Sequence, residues 1–592
     1  MKMKRFNLIP LALTTLMLGA CSSEDGLNLG GGNSVAQGEK GYISFSLNLP
    51  TVKSTANRAN DDFDDGAATE YNVEDATLLL FSGANESDAT FAGAYDLSTK
   101  MTGGTSDGDN ITTTYKIAQE VTKPVGANVY AMVIINGKTS NVLTESGGTW
   151  SIKGQPLTAS TTKYKDLAGA AYNLSNTDVA NIASTTGDGC FLMTNAPLYT
   201  QAGGVSNPTT GTGGSVQTLT EINPNNIFTT EAEAKANPAA NVYVERAVAK
   251  VTVTGNTTGT QDDGNIANYE IKGWTLDVTN QSSYLVRNVD GADWWSLKAD
   301  GVDDYRFVGA AAVADGLYRT YWGIDPNYST EGTFTTLEGT IPASLKAVGE
   351  NDYCLENTFD LTQMNQDQTT RVIVAAALDL DADGTADDFY VLDNDKSNTA
   401  LTFEGITNTI KAAYLANGTV VGLLEANLNG GESIGADDLE VTFNGKENTG
   451  GYVTVSEITI KDESASKFKT GAIPEGLQAA NNDAIIADVN AAHKIAFYKD
   501  GVAYYPVMIK HFGDDLTPWS NGEVYGSNKA DFLGRYGVLR NNWYSINVTG
   551  IKSIGDPEVP EIYGTPDDPS ESWISVSINI LSWAKRSQSV DL

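Results

Sequence analysis

The chain is short of the residues on which catalysis and nucleic-acid binding usually depend. It has two histidines, His493 and His511, three cysteines, and 38 basic residues against 74 acidic ones in 592. Neither histidine sits in a His-Glu-x-x-His spacing, which excludes the common helical zinc site. No Gly-x-Gly-x-x-Gly follows a strand pattern. Gly137-Lys138-Thr139 resembles the end of a phosphate loop, but Met132 stands where that motif needs glycine. A net charge of −36 argues against a phosphate backbone and against adsorption to an anionic bilayer, because both need Lys and Arg clusters. Carboxylate pairs in so acidic a chain arise by density alone, so no catalytic residue is expected and the chain reads as a non-enzyme with no cofactor. Helical patterns are few, and beyond the first twenty residues no apolar run is long enough to span a membrane.

The N-terminus is more specific. Lys2, Lys4 and Arg5 precede an interrupted apolar segment, Leu8 to Leu18, that ends in Leu18-Gly19-Ala20-Cys21. This resembles a bacterial lipoprotein signal, with cleavage before Cys21 and lipid (palmitate) on its thiol. Residues 22–40 are rich in Gly, Ser and Asn and read as a tether. Cys190 and Cys354 lie in apolar surroundings, Cys190-Phe191-Leu192-Met193 and Tyr353-Cys354-Leu355, and read as small buried hydrophobes, although an exported chain could join them.

What the chain has in plenty is Thr, Val, Tyr and Ile punctuated by Gly, Asn and Asp, which means β structure. Two stretches carry nearly the same strand. Ile43-Ser44-Phe45-Ser46-Leu47-Asn48-Leu49 and Ile574-Ser575-Val576-Ser577-Ile578-Asn579-Ile580 both alternate large apolar residues with Ser, Ser and Asn. Each predicts one apolar face for a core and one polar face for water. A polar, protease-open segment follows the first copy and contains Arg58-Ala59, with Lys53 as the competing basic residue. Cleavage between Arg58 and Ala59 would remove the first copy and leave a groove for the second copy of another molecule, making the chain a polymerising subunit.

Further strands are expected at 76–81, 129–135, 190–193, 269–278, 371–380, 389–392, 419–424, 452–460, 495–498, 504–509, 543–551 and 573–581. One long strand is expected over 242–253, with opposite charges adjacent at Glu245 and Arg246. Helices are expected at 230–236, 406–416 and 477–492. The spacing predicts an all-β protein of two tandem β-sandwiches. The divisions are a signal at 1–21, tether and propeptide at 22–58, sandwiches at 59–255 and 256–555, and a Pro/acidic linker with a donor strand at 556–592. That linker reads as an arm holding the last strand away from the domain before it. Asp379, Asp381, Asp383 and Asp387 have the spacing of a compact calcium loop, but Tyr390 replaces the bidentate Glu of an EF-hand. An acidic hairpin turn explains the same residues and is the preferred reading. Trp294-Trp295 and the cluster from Tyr318 to Trp322 could stack on sugars, but aromatics in sandwiches more often pack in cores.

Several of these stretches together resemble the fimbrillins, nearest the major subunit of short (minor) type V fimbriae. They are the lipobox, Val244-Glu245-Arg246-Ala247-Val248-Ala249-Lys250-Val251, Phe191-Leu192-Met193-Thr194-Asn195 and Tyr353-Cys354-Leu355-Glu356-Asn357-Thr358. The C-terminal run is the most specific: Tyr505-Pro506-Val507, Gly534-Arg535-Tyr536-Gly537-Val538-Leu539-Arg540-Asn541-Asn542-Trp543-Tyr544, and Ser589-Val590-Asp591-Leu592. The resemblance implies transthyretin-like sandwiches and an outer-membrane lipoprotein precursor. It also implies removal of the first strand by an Arg- or Lys-specific protease, and a C-terminal donor strand, about Ser572–Trp583, with residues 584–592 as a possible contributor. The implied product is an extracellular pilus shaft supporting adhesion and biofilm formation. Its partners would be other copies of the chain, anchor and accessory or tip subunits, the protease, and host or bacterial surface receptors. The loop at 200–240 is longer than the family type. The alternatives are an accessory or tip adhesin of the same fimbria, or a monomeric surface lipoprotein that binds glycans.

Overall fold

A computed structural model describes residues 35–50, 67–106, 112–126, 128–204, 214–260, 266–289, 305–314, 316–395, 400–446, 448–512, 516–517, 529–566 and 574–582. The N-terminal part is built on β1 (Lys40–Pro50), β2 (Ala76–Gly83), β3 (Thr90–Asp96), β4 (Thr105–Ser106), β5 (Thr112–Thr122), β6 (Asn128–Ile135), β7 (Met193–Asn195) and β8 (Asn241–Arg246). Their order in the sheet is β3-β2-β6-β7-β8-β1-β5-β4. β8 bends the sheet over on itself, pairing with β1 through residues 241–243 and with β7 through residues 244–246. One apolar core, built from Val35, β1, β2, β6 and residues on to Val248 and joined by Leu285, Val286 and Leu355, fills the space between the two halves.

The second part continues with β9 (Ala249–Gly255), β10 (Asn268–Asp277), β11 (Asn351–Cys354) and β12 (Arg371–Asp379). After an insert, β17 (Val502–Met508), β18 (Asn542–Ile551) and β19 (Ile574–Ser582) complete it, the strands numbered between belonging to the insert. Two sheets, β11-β9-β18-β19 and β10-β12-β17 with the short strand Thr258–Gly259 at its edge, face each other. Val251, Val253, Trp274, Val374, Tyr505, Tyr544 and Ile546 fill the space between them. β12 is buried along its whole length, as a central strand covered on both faces must be.

The insert is the main feature that strand periodicity does not reveal. It holds β13 (Phe389–Leu392), β14 (Leu439–Asn444), β15 (Gly451–Ile460) and β16 (Ile495–Tyr498). The sheet runs β13-β16-β15-β14 and shares its own core with the helices Phe403–Ala416, Gly418–Asn427 and Asp483–Ala492. Residues 419–424, expected as a strand, lie inside the second of these helices. Asn417 caps it by accepting from the Thr419 N–H at 2.9 Å, and Val420 and Leu424, four residues apart, turn one face inward.

Three other expectations are corrected. Residues 242–253 do not form one strand, because the chain leaves the first sheet after Arg246 and enters the second at Ala249. Ala247 N–H donates to Leu192 O at 2.9 Å, and Val248 O accepts from Asn541 N–H at 2.8 Å. The polar face of β1 is not in water, since Ser44 and Asn48 are buried. The segment around the short helix Glu231–Ala236 covers that face, with Ala239 N–H donating to Ser44 O and Ser46 N–H to Ala240 O. The Pro/acidic linker is no free arm. It lies on the second sandwich through paired backbone bonds between Tyr504 and Asp556, a bond from Val559 N–H to Thr340 O, and one from Gln366 N–H to Thr565 O. β19 accordingly pairs antiparallel with β18 of the same chain. An unpaired β18 edge would leave its backbone groups and the core beneath exposed, and Val576 and Ile578 pack there.

Among the described residues no helix is long and apolar enough to cross a membrane.

Candidate functional site

The removable strand proposed from sequence sits in the interior of a sheet. β1 pairs antiparallel with β5 over eleven positions, Lys40 opposite Thr122 to Pro50 opposite Thr112, and parallel with β8 at Ser46–Asn48. Ile43, Phe45, Leu47 and Leu49 are at most 1% exposed. Each contributes roughly 1.5–3 kcal/mol by burial, beside the backbone ladder. Asn48 bonds to both neighbours, donating through Nδ2 to Val242 O at 3.2 Å and accepting from Thr114 Oγ1 at 2.8 Å. Without β1 the sheet would divide, because β5 has only the two-residue β4 on its other side.

At the opposite end of the chain, Ile574, Val576, Ile578 and Ile580 lie on β19, opposite Ile551, Val548, Ile546 and Tyr544 of β18. Val576 and Ile578 are half-buried against the second core. The structure thus brings the two like strands to different sandwiches and not together. Cys21, Arg58 and Ala59 lie outside the described residues, as do Trp294, Trp295 and the tail after 582.

A seam of buried charge joins the sandwiches, and here the stretches that carried the resemblance converge. Glu70, close after the segment containing Arg58, pairs with Lys250 Nζ at 2.8 Å and accepts from Tyr353 Oη at 2.6 Å. Burial alone would raise the Glu70 carboxyl, but Lys250 and Tyr353 hold it below its ordinary range. Arg246 Nε donates to Glu70 O at 3.0 Å, and Lys250 also lies over the Trp543 ring, 3.5 Å from its centre. Arg287 grips Glu245 bidentately, both bonds 3.0 Å. Arg540 pairs with Glu356 while donating to Tyr284 O at 2.9 Å, and within the second sandwich Arg371 pairs at 2.7 Å with Asp277, its neighbour across the β10-β12 ladder. None of these charged residues is more than 2% exposed. The signal in sequence was the adjacent pair Glu245-Arg246, but their partners stand far away along the chain, so the network was not foreseen.

The other candidates lie elsewhere in the fold. Carboxylate oxygens of Asp379, Asp381 and Asp383 lie within 4.8 Å of one another, and Asp387 is not among them. Asp379 accepts from Ala382 N–H and Gly384 N–H, and Asp383 accepts from Thr385 N–H, which are the bonds of an acidic turn. Cys190 and Cys354 are both buried and free, and burial pushes the Cys190 thiol up to about 11. Trp322 is fully buried against His511 and Phe512 and is not placed to stack on a sugar.

His511 holds a second polar joint. Its Nε2–H donates to Tyr321 O at 2.9 Å, and Nδ1 accepts from Tyr544 Oη at 2.7 Å. Burial pushes the imidazole down to about 4. A depressed folded pKa means stability present above the unfolded value of about 6.5 and lost as pH falls through about 4. Asp325, which burial raises to about 7, runs the other way. Comparison with His511→Asn therefore isolates the histidine. Between pH 7 and pH 4 the parent chain should lose up to about 3 kcal/mol more than the variant in urea unfolding, and parallel curves would refute this.

Residues 496–589 match the family described as major fimbrial subunit protein type IV, fimbrillin, C-terminal. No curated protein matches the sequence. Among solved structures the chain is similar to a fimbrilin from Porphyromonas gingivalis, at 13% identity over 92% of this chain and 98% of that one with a TM-score of 0.35. It is also similar to the tip fimbrial protein Mfa3 from the same organism, at 10% identity over 92% and 100% with a TM-score of 0.27. A fimbrial assembly protein from Parabacteroides distasonis is similar at 11% identity over 58% and 84% with a TM-score of 0.27. Likeness at this level leaves the assignment to the C-terminal match, which spans β16 to β19. What is fimbrillin-like by sequence is thus the C-terminal region, residues 496–589.

Proposed function

We propose that the protein is the shaft subunit of a type V pilus, exported as a lipoprotein through Cys21 and matured by an Arg-specific protease between Arg58 and Ala59. The matured subunits polymerise when residues 572–583 of one copy take the place of β1 in the next. The carrying observation is that β1, the segment upstream of that bond, is a buried interior strand whose pattern β19 repeats. Loss of β1 exposes unpaired N–H and C=O groups beside an apolar trench, and a strand added in trans satisfies both. The contact is head-to-tail and does not close, so it makes a filament. While β1 stays in place it blocks assembly. The change from the first sheet to the second after Arg246 supports two sandwiches with the division expected near residue 255.

A second reading has an observation of its own. β19 packs within its own molecule, as a monomeric surface lipoprotein would keep it. N-terminal sequencing of protein sheared from cells, with its migration in unheated gels, separates the two. A start at Ala59 with a heat-sensitive ladder supports the shaft. A lipidated start at Cys21 with a single monomer band leaves the tethered monomer.

A further inference from the structure

We infer that Asn579 sets the register of the exchanged strand by taking the place of Asn48. The inference rests on the strand-exchange reading and goes beyond it by naming the residue that fixes the alignment. Aligning the like strands puts Ile574, Val576, Ile578 and Ile580 at the sites of Ile43, Phe45, Leu47 and Leu49, and Asn579 at the site of Asn48. The apolar ladder alone holds this alignment loosely. A one-residue slip turns every apolar side chain to the wrong face, but a two-residue slip restores the faces and changes only one end of the ladder. One such slip puts Leu581 at the site of Asn48, and the other puts Ser577 there.

That site is not indifferent to its occupant. Asn48 is buried and ties β1 to both neighbours at once, giving a hydrogen to Val242 O of β8 and taking one from Thr114 Oγ1 of β5. Leucine offers neither bond, and serine is too short to span the same two partners. Val242 is fully buried and Thr114 half-buried, so a carbonyl and a hydroxyl facing the wrong side chain there carry a desolvation penalty, the larger share of it at Val242 O. Asparagine, with a donor and an acceptor at the end of one short side chain, meets both in a single alignment.

The test uses the full chain treated with an Arg-specific protease, with disulfide capture between copies. Ser46 stands opposite the exposed Lys116 on β5. Ser577→Cys with Lys116→Cys therefore reports the aligned register. Ser575→Cys with Lys116→Cys reports the slip that places Ser577 at the site of Asn48. With Asn579 present, only the first pair should link copies. Adding Asn579→Ala should raise the second product relative to the first by roughly tenfold or more, for the loss of two hydrogen bonds. An unchanged ratio overturns the role of Asn579 and leaves strand exchange standing. An Asn579→Ala chain that assembles nothing also overturns it, because the ladder would then be unable to seat the strand in any register. Absence of inter-copy links in both pairs with Asn579 intact brings down strand exchange itself, and the inference with it.

Discussion

Replacing Phe45 by alanine should destabilise the uncleaved protein by about 3–5 kcal/mol, the usual cost of emptying a fully buried aromatic site. Phe45 is completely buried, points from an interior strand into the first core, and stands opposite Ile117 of β5. The gap it leaves is bounded by paired backbone on both sides, so collapse around it is limited. The thermal midpoint of the first sandwich should fall by on the order of 10 °C. The same substitution discriminates between the two functional readings. If β1 is discarded on maturation, the finished polymer keeps parental stability, and assembly after proteolysis is faster because the outgoing strand is held less tightly. If the chain is a monomer that keeps β1, the defect persists in the mature protein. A loss below about 1 kcal/mol in the precursor would mean that β1 is not seated as described.

Replacing Arg540 by methionine should lower stability by a similar amount, about 3–5 kcal/mol, for a different reason. Its guanidinium lies in the seam, pairs with Glu356 and donates to Tyr284 O, Leu285 O and Ser283 Oγ. Methionine fills most of the volume but leaves the Glu356 carboxylate, which is fully buried, without its counter-charge. The destabilisation is the desolvation of that stranded charge more than the worth of the pair itself. The double variant Arg540→Met, Glu356→Leu should therefore recover most of the loss, and a double-mutant cycle by urea unfolding measures the coupling. Single variants within about 1 kcal/mol of the parent would show that the seam tolerates an unpaired charge.

Strands were legible where side-chain alternation or a continuous apolar run left little choice, as in 76–83, 128–135, 371–379 and 542–551. The helix over 418–427 was not, because Val420-Val421 and two glycines mimic a strand when the partners of Val420 and Leu424 are unknown. The long pattern over 242–253 concealed a change of sheet, since the apolar run Ala247-Val248-Ala249 hides the shift of phase from Val242 and Val244 to Val251 and Val253, and the break depends on Asn541, nearly three hundred residues later. For the candidate site, the apolar face of β1 could be read directly. The burial of its Ser and Asn face could not, because its cover comes from residues 231–241. The cis pairing of β19 was missed for a similar reason. A linker rich in Pro and acid looks extended in sequence, but Val559 is buried and Arg371 accepts no such freedom, donating to Pro560 O at 2.7 Å.

The step from β8 to β9 also decides how the molecule bears load. Two residues separate the sheets, and Glu70, Lys250, Tyr353 and Arg246 brace that crossing from both sides. Tension entering one sandwich passes to the other through taut backbone and cross-ties that have no slack to give up. The pair should stretch as a single stiff rod, with none of the easy extension of beads on a string, and rupture should begin where a strand can slide from its sheet before the joint opens.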